Sequence, residues 1–379
     1  MSNARIIPDL GRIAALFDMR ADFLAGSPHG SGHINDTYCA NFDQSGLQEI
    51  RYIFQRINTD VFKNPEELME NISRVTEFSL ARLMGQGHPE AHRRTLTCIP
   101  AKDGRPFAVD SEGGYWRVYP FIERATAHDE LKTNEQAFQA AMAFGKFQSL
   151  AALLGGPRLH ETIPDFHNTP KRFENLLSAI DADTHGRAAS VKREIDFAIA
   201  RKGDCSRITD LIAAGVIPER VTHNDTKLNN VLLDDSTTEA VCVIDLDTTM
   251  PGSALYDFGD MVRTAATNRR EDEAETGMPN VRLDRFESLV KGFMVVGREF
   301  LNPVEIENLA FSGKLLTLEC GMRFLTDYLQ GDVYFKTQRE GHNLDRCRNQ
   351  FAYVGSIEGN LAEMEAIVQA IATDKPISA

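Results

Sequence analysis

Apolar positions in the first 120 residues switch period several times, whereas the helical period dominates after Pro120. Residues 8–25 carry Ile13, Leu16, Phe17 and Phe23 at helical spacing and predict an amphipathic helix. Two turns containing Gly and Ser follow. A strand is expected over Thr37–Phe42, then a second over Tyr52–Ile57, rich in aromatic and β-branched residues. Pro65 opens a helix, PEELMENISRVTEFSLARLM, because a missing N–H costs nothing in a first turn. Short strands are expected at Arg94–Ile99 and Tyr115–Tyr119, with Asp103-Gly104 turning between them.

Further on, 133–154 reads as an Ala-rich helix, and 170–202 and 303–330 are also helical. Between them, in 221–247, two short apolar runs flank an Asp-rich turn. The pattern predicts an α+β chain: a small strand-rich N-terminal part, 1–119, then a larger helical part, 120–379, with a hinge at about 119–122. A chain of 379 residues can fill two such parts, since single cores rarely grow past roughly 250–300 residues.

Composition narrows the class. Hydrophobic residues at 42% and charged residues at 25% are globular values. A net charge of −14 argues against nucleic acid or an anionic membrane as partner. The six cysteines are scattered without a C-x-x-C pair, and the N-terminus lacks an apolar segment followed by a small-residue cleavage site. No stretch approaches the ~20 apolar residues that span a bilayer. The expected setting is the reducing cytoplasm. The expected state is a monomer, because no heptad seam or long apolar edge calls for a partner. The EDEAET run within Arg269–Asn280 reads as a solvated loop.

Candidate chemistry concentrates in Val221–Asp247, VTHNDTKLNNVLLDDSTTEAVCVIDLD. It holds His-x-Asp, an Asn five residues after that Asp, and an apolar strand followed by Asp. Phosphoryl transfer asks a protein mainly for positioning and charge neutralisation. One carboxylate can orient an acceptor hydroxyl and take its proton, while an Asn and a second Asp supply the oxygen ligands that Mg²⁺ prefers.

This segment resembles the catalytic loop and metal-binding strand of the aminoglycoside phosphotransferase/choline kinase superfamily. The resemblance implies a protein-kinase-like two-lobed fold, with a small antiparallel-sheet lobe and a larger, mainly helical lobe. It implies an ATP- and Mg²⁺-dependent kinase in which Asp225 is the catalytic base, His223 braces the loop, and Asn230 and Asp245 hold the metal. Lys227 faces phosphate or is a solvated loop lysine.

On the nucleotide side, the turn Gly30-Ser31-Gly32-His33-Ile34-Asn35-Asp36-Thr37 offers backbone N–H groups to phosphate. Its cofactor candidates are Ser31, Gly32, His33, Ile34, Asn35 and Thr37. Arg56 stands where the family directs a Lys or Arg towards phosphate. Glu70 is its expected helix partner and Glu67 the rival, the alternative for both being a solvated helix face. Tyr119, Phe121 and Ile122 resemble the adenine-binding hinge, or form an ordinary linker around Pro120.

The strings GHINDTY, FQRIN followed by FKNPEELMENI, HNDTKLNN and VIDLDTTMPGSALYDFGD resemble the N-acetylhexosamine 1-kinase branch, in order over about 25–355. That implies a small-molecule sugar acceptor phosphorylated at its anomeric hydroxyl. On the helix expected over Glu307–Gln330, Glu319, Arg323 and Asp327 share one face at i, i+4, i+8. Glu319, Arg323 and Tyr334 are the acceptor candidates, against a surface ion-pair ladder. Arg339 and His342 lie nearby. The later D-F-G copy at Asp257 is expected to cap a helix and tie down the catalytic loop. Alternatives are another acceptor (homoserine, an amino alcohol or an aminoglycoside) and a non-catalytic nucleotide-binding regulator.

Overall fold

A computed structural model describes residues 7–30, 34–269, 271 and 279–374. The chain divides into two compact units: 1–125 with 154–163 and 241–249, and 126–153 with 164–240 and 250–379.

The first unit begins with α1 (Leu10–Ala14), β1 (Asp22–Pro28), β2 (Asp36–Gln44) and β3 (Gln48–Arg56). There follow α2 (Pro65–Gly85), α3 (Ala91–Arg94), β4 (Ala108–Val109) and β5 (Tyr115–Pro120). The strands form one antiparallel sheet in the order β1-β2-β3-β5-β4. Along β2 the buried positions are Tyr38, Ala40 and Phe42, the period of two that a half-buried strand dictates. Phe42 and Phe54 stack at 6.0 Å, with Phe17, Trp116 and Val118 completing this core. On α2, Leu68, Ile72, Val75 and Ser79 are buried at helical spacing, and Pro65 takes the first turn as expected.

Two local expectations are corrected. The helix over 8–25 shrinks to Leu10–Ala14, and Asp22–Pro28 instead pairs with β2. There Phe23 packs edge-on to Phe42 at 5.6 Å, so tertiary pairing overrides the local period. The strand over 94–99 is not formed: α3 takes the chain to Arg94, and beyond it Ile99 N–H still donates to the Val118 carbonyl of β5 at 2.8 Å without a ladder developing.

The second unit starts near β6 (Ala125–Ala127) and continues with α4 (Asn134–Ala151), α5 (Thr169–Ala182), α6 (Lys192–Ile199), α7 (Lys202–Cys205) and α8 (Arg207–Ala213). Then come β7 (Arg220–Thr222), β8 (Val231–Asp234) and β9 (Ala240–Val243), where the chain passes back into the first unit. It returns with β10 (Met250–Gly252), α9 (Ala254–Ala265), α10 (Leu283–Phe300), α11 (Pro303–Glu307), α12 (Leu309–Leu329) and α13 (His342–Thr373). The helix expected over 170–202 is broken where Asp183 turns left-handed, with φ 35°. The one over 303–330 is two helices meeting at Asn308.

Helix α12 is the spine of this unit. Leu318, Met322, Leu325 and Leu329 pack with Leu176 of α5 and with Phe351 and Val354 of α13. Gly259 lets α9 approach α12 closely, since a Cβ there would stand 2.5 Å from the Ser312 carbonyl oxygen. No helix among the described residues is long and apolar enough to cross a membrane. The six cysteines are free thiols. Most of the expected loop Arg269–Asn280 lies outside the described residues.

The first unit also contains a charge pair that the sequence did not announce. Arg117, on β5 and 1% exposed, is paired with Asp247, while its Nε donates to Gln55 Oε1 at 2.9 Å. Burial disfavours the Arg117 cation, but the carboxylate of Asp247 outweighs it and holds the guanidinium charged. Removing one partner strands the other in an apolar setting. Arg117→Met is expected to destabilise the first unit by about 3–5 kcal/mol, measured by urea denaturation. Combining it with Asp247→Leu should recover part of that loss, because no buried charge is then left alone.

Candidate active site

The loop after β7 is built around one buried carboxylate. Asp257, on α9 and fully buried, accepts the backbone N–H of His223 at 3.0 Å and of Asn224 at 2.7 Å, with Gln148 Nε2 as a third donor. Burial raises its pKa despite these donors. Thr226 closes the arrangement by donating its hydroxyl to the Asp257 carbonyl at 2.6 Å. The expected tie between the late D-F-G copy and the catalytic loop is present. The cap of α9, however, is Ser253, whose hydroxyl accepts from Leu255 N–H.

Sequence dictates the shape of this loop locally. Asn224 adopts φ 64°, a left-handed conformation that Asn tolerates better than most residues. Its side chain accepts from the Thr222 hydroxyl at 2.9 Å and donates to the Thr222 carbonyl. Gly252 on β10 is required opposite, since a Cβ there would collide with Thr222 Oγ1. His223 is buried between the ring edges of Phe144 and Phe147, and its Nδ1 accepts from Asp225 N–H. That is a bracing position.

Asp225 is thereby presented with a quarter of its side chain exposed. Burial pushes its pKa up, but Lys227, 3.2 Å away, together with His223 and Arg263, outweighs burial and holds the carboxyl below its usual range. The group is a carboxylate at neutral pH. Asn230, on the 3₁₀ turn Leu228–Asn230, donates its amide to the Asp225 carbonyl at 2.8 Å and to Oδ2 at 3.1 Å. Both of these bonds use the Asn230 amide nitrogen, not its oxygen. Lys227 faces the Asp225 carboxylate.

In the first unit, Ile-Asp-Leu-Asp separates two carboxylates with opposite fates. Asp247 is 3% exposed and consumed by Arg117 and Asn35, and its carbonyl accepts from the Thr162 hydroxyl. Asp245, two residues earlier, is exposed on a left-handed backbone with φ 59°. Strained φ/ψ at an exposed carboxylate suits a ligand position better than a packing one. Among the described residues no cluster of three or more His, Cys, Asp or Glu forms a protein-only metal cage. An amide oxygen and an exposed carboxylate are each donors of the kind a hard cation takes.

The other nucleotide candidates are scattered along this unit. Gly30 is left-handed with φ 76°, whereas Ser31, Gly32 and His33 lie outside the described residues. Ile34 is exposed, and its carbonyl accepts from Asn58. Asn35 is committed by its side chain to Asp247 and to Asn58 N–H. Thr37 accepts from Gln55 Nε2. Tyr119 is buried, and burial carries its phenol well above the ordinary range. Phe121 carries the Arg51 guanidinium 3.7 Å above its ring and meets His29 edge-on, with Ile122 next in the chain.

The expected Arg56–Glu70 pair is not formed. Glu70 takes His160 at 3.0 Å and faces Arg74, and Glu67 turns towards the same His160. Arg56 lies over Gly114, beside Asp110. The helix register aims both glutamates at the 154–163 segment, so the unit's buried Arg–carboxylate pair is Arg117–Asp247. An Arg flanked by Trp116 and Val118 in a strand with both faces buried was the available signal.

The acceptor candidates of the second unit also sort by burial. Glu319 is 1% exposed, accepts from His167 Nδ1 at 2.8 Å and from the Thr169 hydroxyl at 2.6 Å, and so does not face an acceptor. Asp327 is likewise buried and accepts the N–H groups of Val333, Tyr334 and Phe335. A surface ion-pair ladder is therefore excluded. Arg323 lies 5.4–5.9 Å from the rings of Phe166, Tyr334 and Phe335. Among the described residues it meets no carboxylate within ion-pair distance. Arg172 adjoins it, held by the Phe166 carbonyl at 3.0 Å, and burial together with the Arg323 charge lowers its pKa. Phe166 in turn packs on His167, whose Nε2 is 2.9 Å from the Asn224 carbonyl oxygen. Two rings therefore connect the arginine pair to the catalytic loop.

Comparison with solved structures returns kinases of one fold. A microcompartment-associated aminopropanol kinase superposes with a TM-score of 0.58 at 16% identity, over 94% of this chain and 98% of its own. An aminoglycoside phosphotransferase from Alicyclobacillus acidocaldarius subsp. acidocaldarius gives 0.59 at 13% identity, over 97% and 98%. An amicoumacin kinase in complex with AMP-PNP and Ca²⁺ gives 0.55 at 14% identity, over 90% and 92%. At these identities the likeness establishes the fold. The sequence model of the phosphotransferase enzyme family (APH) matches residues 25–280, more than half of the chain. The chain belongs to that family.

Proposed function

We propose that this phosphotransferase moves the γ-phosphoryl group of ATP to the anomeric hydroxyl of an N-acetylhexosamine. Asp225 is assigned as the base, and its ionised state at neutral pH supports that role. It accepts the acceptor's hydroxyl proton as the hydroxyl oxygen bonds to the γ-phosphorus. The bond from phosphorus to the bridging oxygen breaks, and ADP leaves. His223 and Asp257 hold the loop so that Asp225 needs no rearrangement during the reaction. Asn230 and Asp245 would hold Mg²⁺, which when bound neutralises phosphate charge. Arg56, Lys227, the 30–37 turn and Tyr119–Ile122 are the nucleotide assignments.

The observation that carries the acceptor reading is the Arg323–Arg172 pair walled by Phe166, Tyr334 and Phe335. Guanidinium N–H groups donate and never accept. They suit a neutral acceptor rich in oxygen, and the N-acetyl carbonyl and ring hydroxyls provide that. The rings offer an apolar face to the sugar. Two adjacent cations repel a cationic acceptor such as choline or an aminoglycoside.

The test is ADP release from Mg-ATP with N-acetylglucosamine, N-acetylgalactosamine, glucose, galactose, homoserine, choline and kanamycin. Turnover is expected with the N-acetylhexosamines alone, and preferred use of a cationic acceptor contradicts the reading. Asp225→Asn should lower kcat by about 10²–10⁴-fold while the Kd for ATP, measured calorimetrically, stays near the parent value. Arg323→Met should raise the acceptor KM by about tenfold or more with little change in the KM for ATP, in keeping with a lost charged hydrogen bond of about 1.5–3 kcal/mol.

A further inference from the structure

His167 has acceptors at both ring nitrogens. Nδ1 is 2.8 Å from Glu319 Oε1, and Nε2 is 2.9 Å from the Asn224 carbonyl oxygen. A carbonyl oxygen cannot donate, so Nε2 must carry a proton. The partner at Nδ1 is a carboxylate whose other oxygen already accepts from the Thr169 hydroxyl. A neutral imidazole has one N–H and would leave a lone pair facing one of these oxygens in a buried setting. The side chain is only 7% exposed, so no bulk water relieves that conflict.

We propose that His167 is a positioning residue that works as a buried imidazolium, clamping the Asn224 carbonyl from the Glu319 carboxylate and so holding the left-handed turn that presents Asp225. Asn224 is then fixed from both sides: its N–H is held by Asp257 on α9, and its carbonyl by His167. The first anchor stands on α9 and the second in the turn before α5, and Glu319 ties the second to the α12 spine. The proton is therefore placed by packing, not by solvent.

The surrounding charges agree. Burial opposes the imidazolium, yet Glu319, the Asn224 carbonyl and, farther off, Asp260 of α9 outweigh burial and raise the His167 pKa. Burial likewise opposes the Glu319 carboxylate, and His167, Thr169 and Arg323 lower its pKa. Tyr256 of α9 packs its ring 5.2 Å from His167 and is kept neutral by burial. Arg172 on α5 adds to the positive side of the balance around Glu319. The sign follows from linkage. A raised histidine pKa means the clamp is fully present below about 6.5, the unfolded value, and is lost as pH rises through the folded value. A lowered Glu319 pKa means it also fails as pH falls below the ordinary carboxylate range.

The role assigned to His167 rests on Asp225 as the base, but its protonation state does not, so the two can fail separately. The first measurement is ring ¹⁵N NMR of the full chain at pH 6, with the signal assigned through His167→Gln. Both nitrogens are expected protonated. A neutral ring with a bare Nδ1, the proton residing on Glu319, overturns the proposal. The second is the pH profile of kcat. The parent should lose activity on the alkaline side along the ring ¹⁵N titration, whose midpoint is raised above the ordinary histidine value. His167→Gln should lower kcat by about 10²-fold, abolish that limb and leave the ATP KM near the parent value. Parental kcat in the variant, or an unchanged alkaline limb, would overturn the assignment. If the variant does not fold, the parent's ring signals and profile still decide.

Discussion

The arrangement of the catalytic loop depends on one buried carboxylate. Asp257 has no exposure and spends its oxygens on two consecutive backbone N–H groups, His223 and Asn224, and on Gln148. A carboxylate so placed is tolerable only with its acceptor sites filled, and a loop so held cannot shift without stranding it. Asn224 then takes a left-handed conformation, and Asp225 emerges beside Lys227 and Asn230. The packing of α9 on α12, allowed by Gly259, fixes where that carboxylate stands. In this way the geometry of an exposed functional group is set by a hydrophobic helix contact behind it.

The division of labour among acids follows one rule throughout. Buried carboxylates hold structure: Asp257 the loop, Asp327 the turn bearing Tyr334, Glu319 the His167 ring, and Asp247 the Arg117 guanidinium. Asp225 and Asp245, which are assigned to chemistry, both keep exposure. Spacing alone cannot separate these groups. Asp245 and Asp247 stand two residues apart, and Glu319 and Arg323 share a helix face, yet burial gives each pair members with different work.

Much of the fold was legible because its elements are strongly periodic. Tyr38, Ala40 and Phe42 alternate, Leu68, Ile72 and Val75 follow the helix, and Pro65 marks a helix start, so β2 and α2 fall where expected. The failures came where partners distant in sequence decide. Residues 22–25, the end of the helix expected over 8–25, are captured in an edge strand by β2, and 94–99 forms no strand because α3 runs to Arg94. In the site, Asp225, Asn230 and Asp245 stand out by a spacing that turn chemistry does not explain. His167 did not, since a single histidine before a helix cap has no local signature; its meaning comes from Glu319, 152 residues away, and Asn224, 57 away. Arg117 was hidden similarly, by a partner 130 residues on.

If Asp257 locks the loop as described, the amides of His223 and Asn224 have no route to solvent short of cooperative opening of the second unit. Native-state hydrogen exchange resolved to these two amides tests this directly. The account predicts protection equal to that of the α12 amides around Leu318 and Leu325. Exchange as fast as in the exposed turn at 235–238 would show that the loop opens by itself, and the claim that a buried carboxylate presets the active geometry would be wrong.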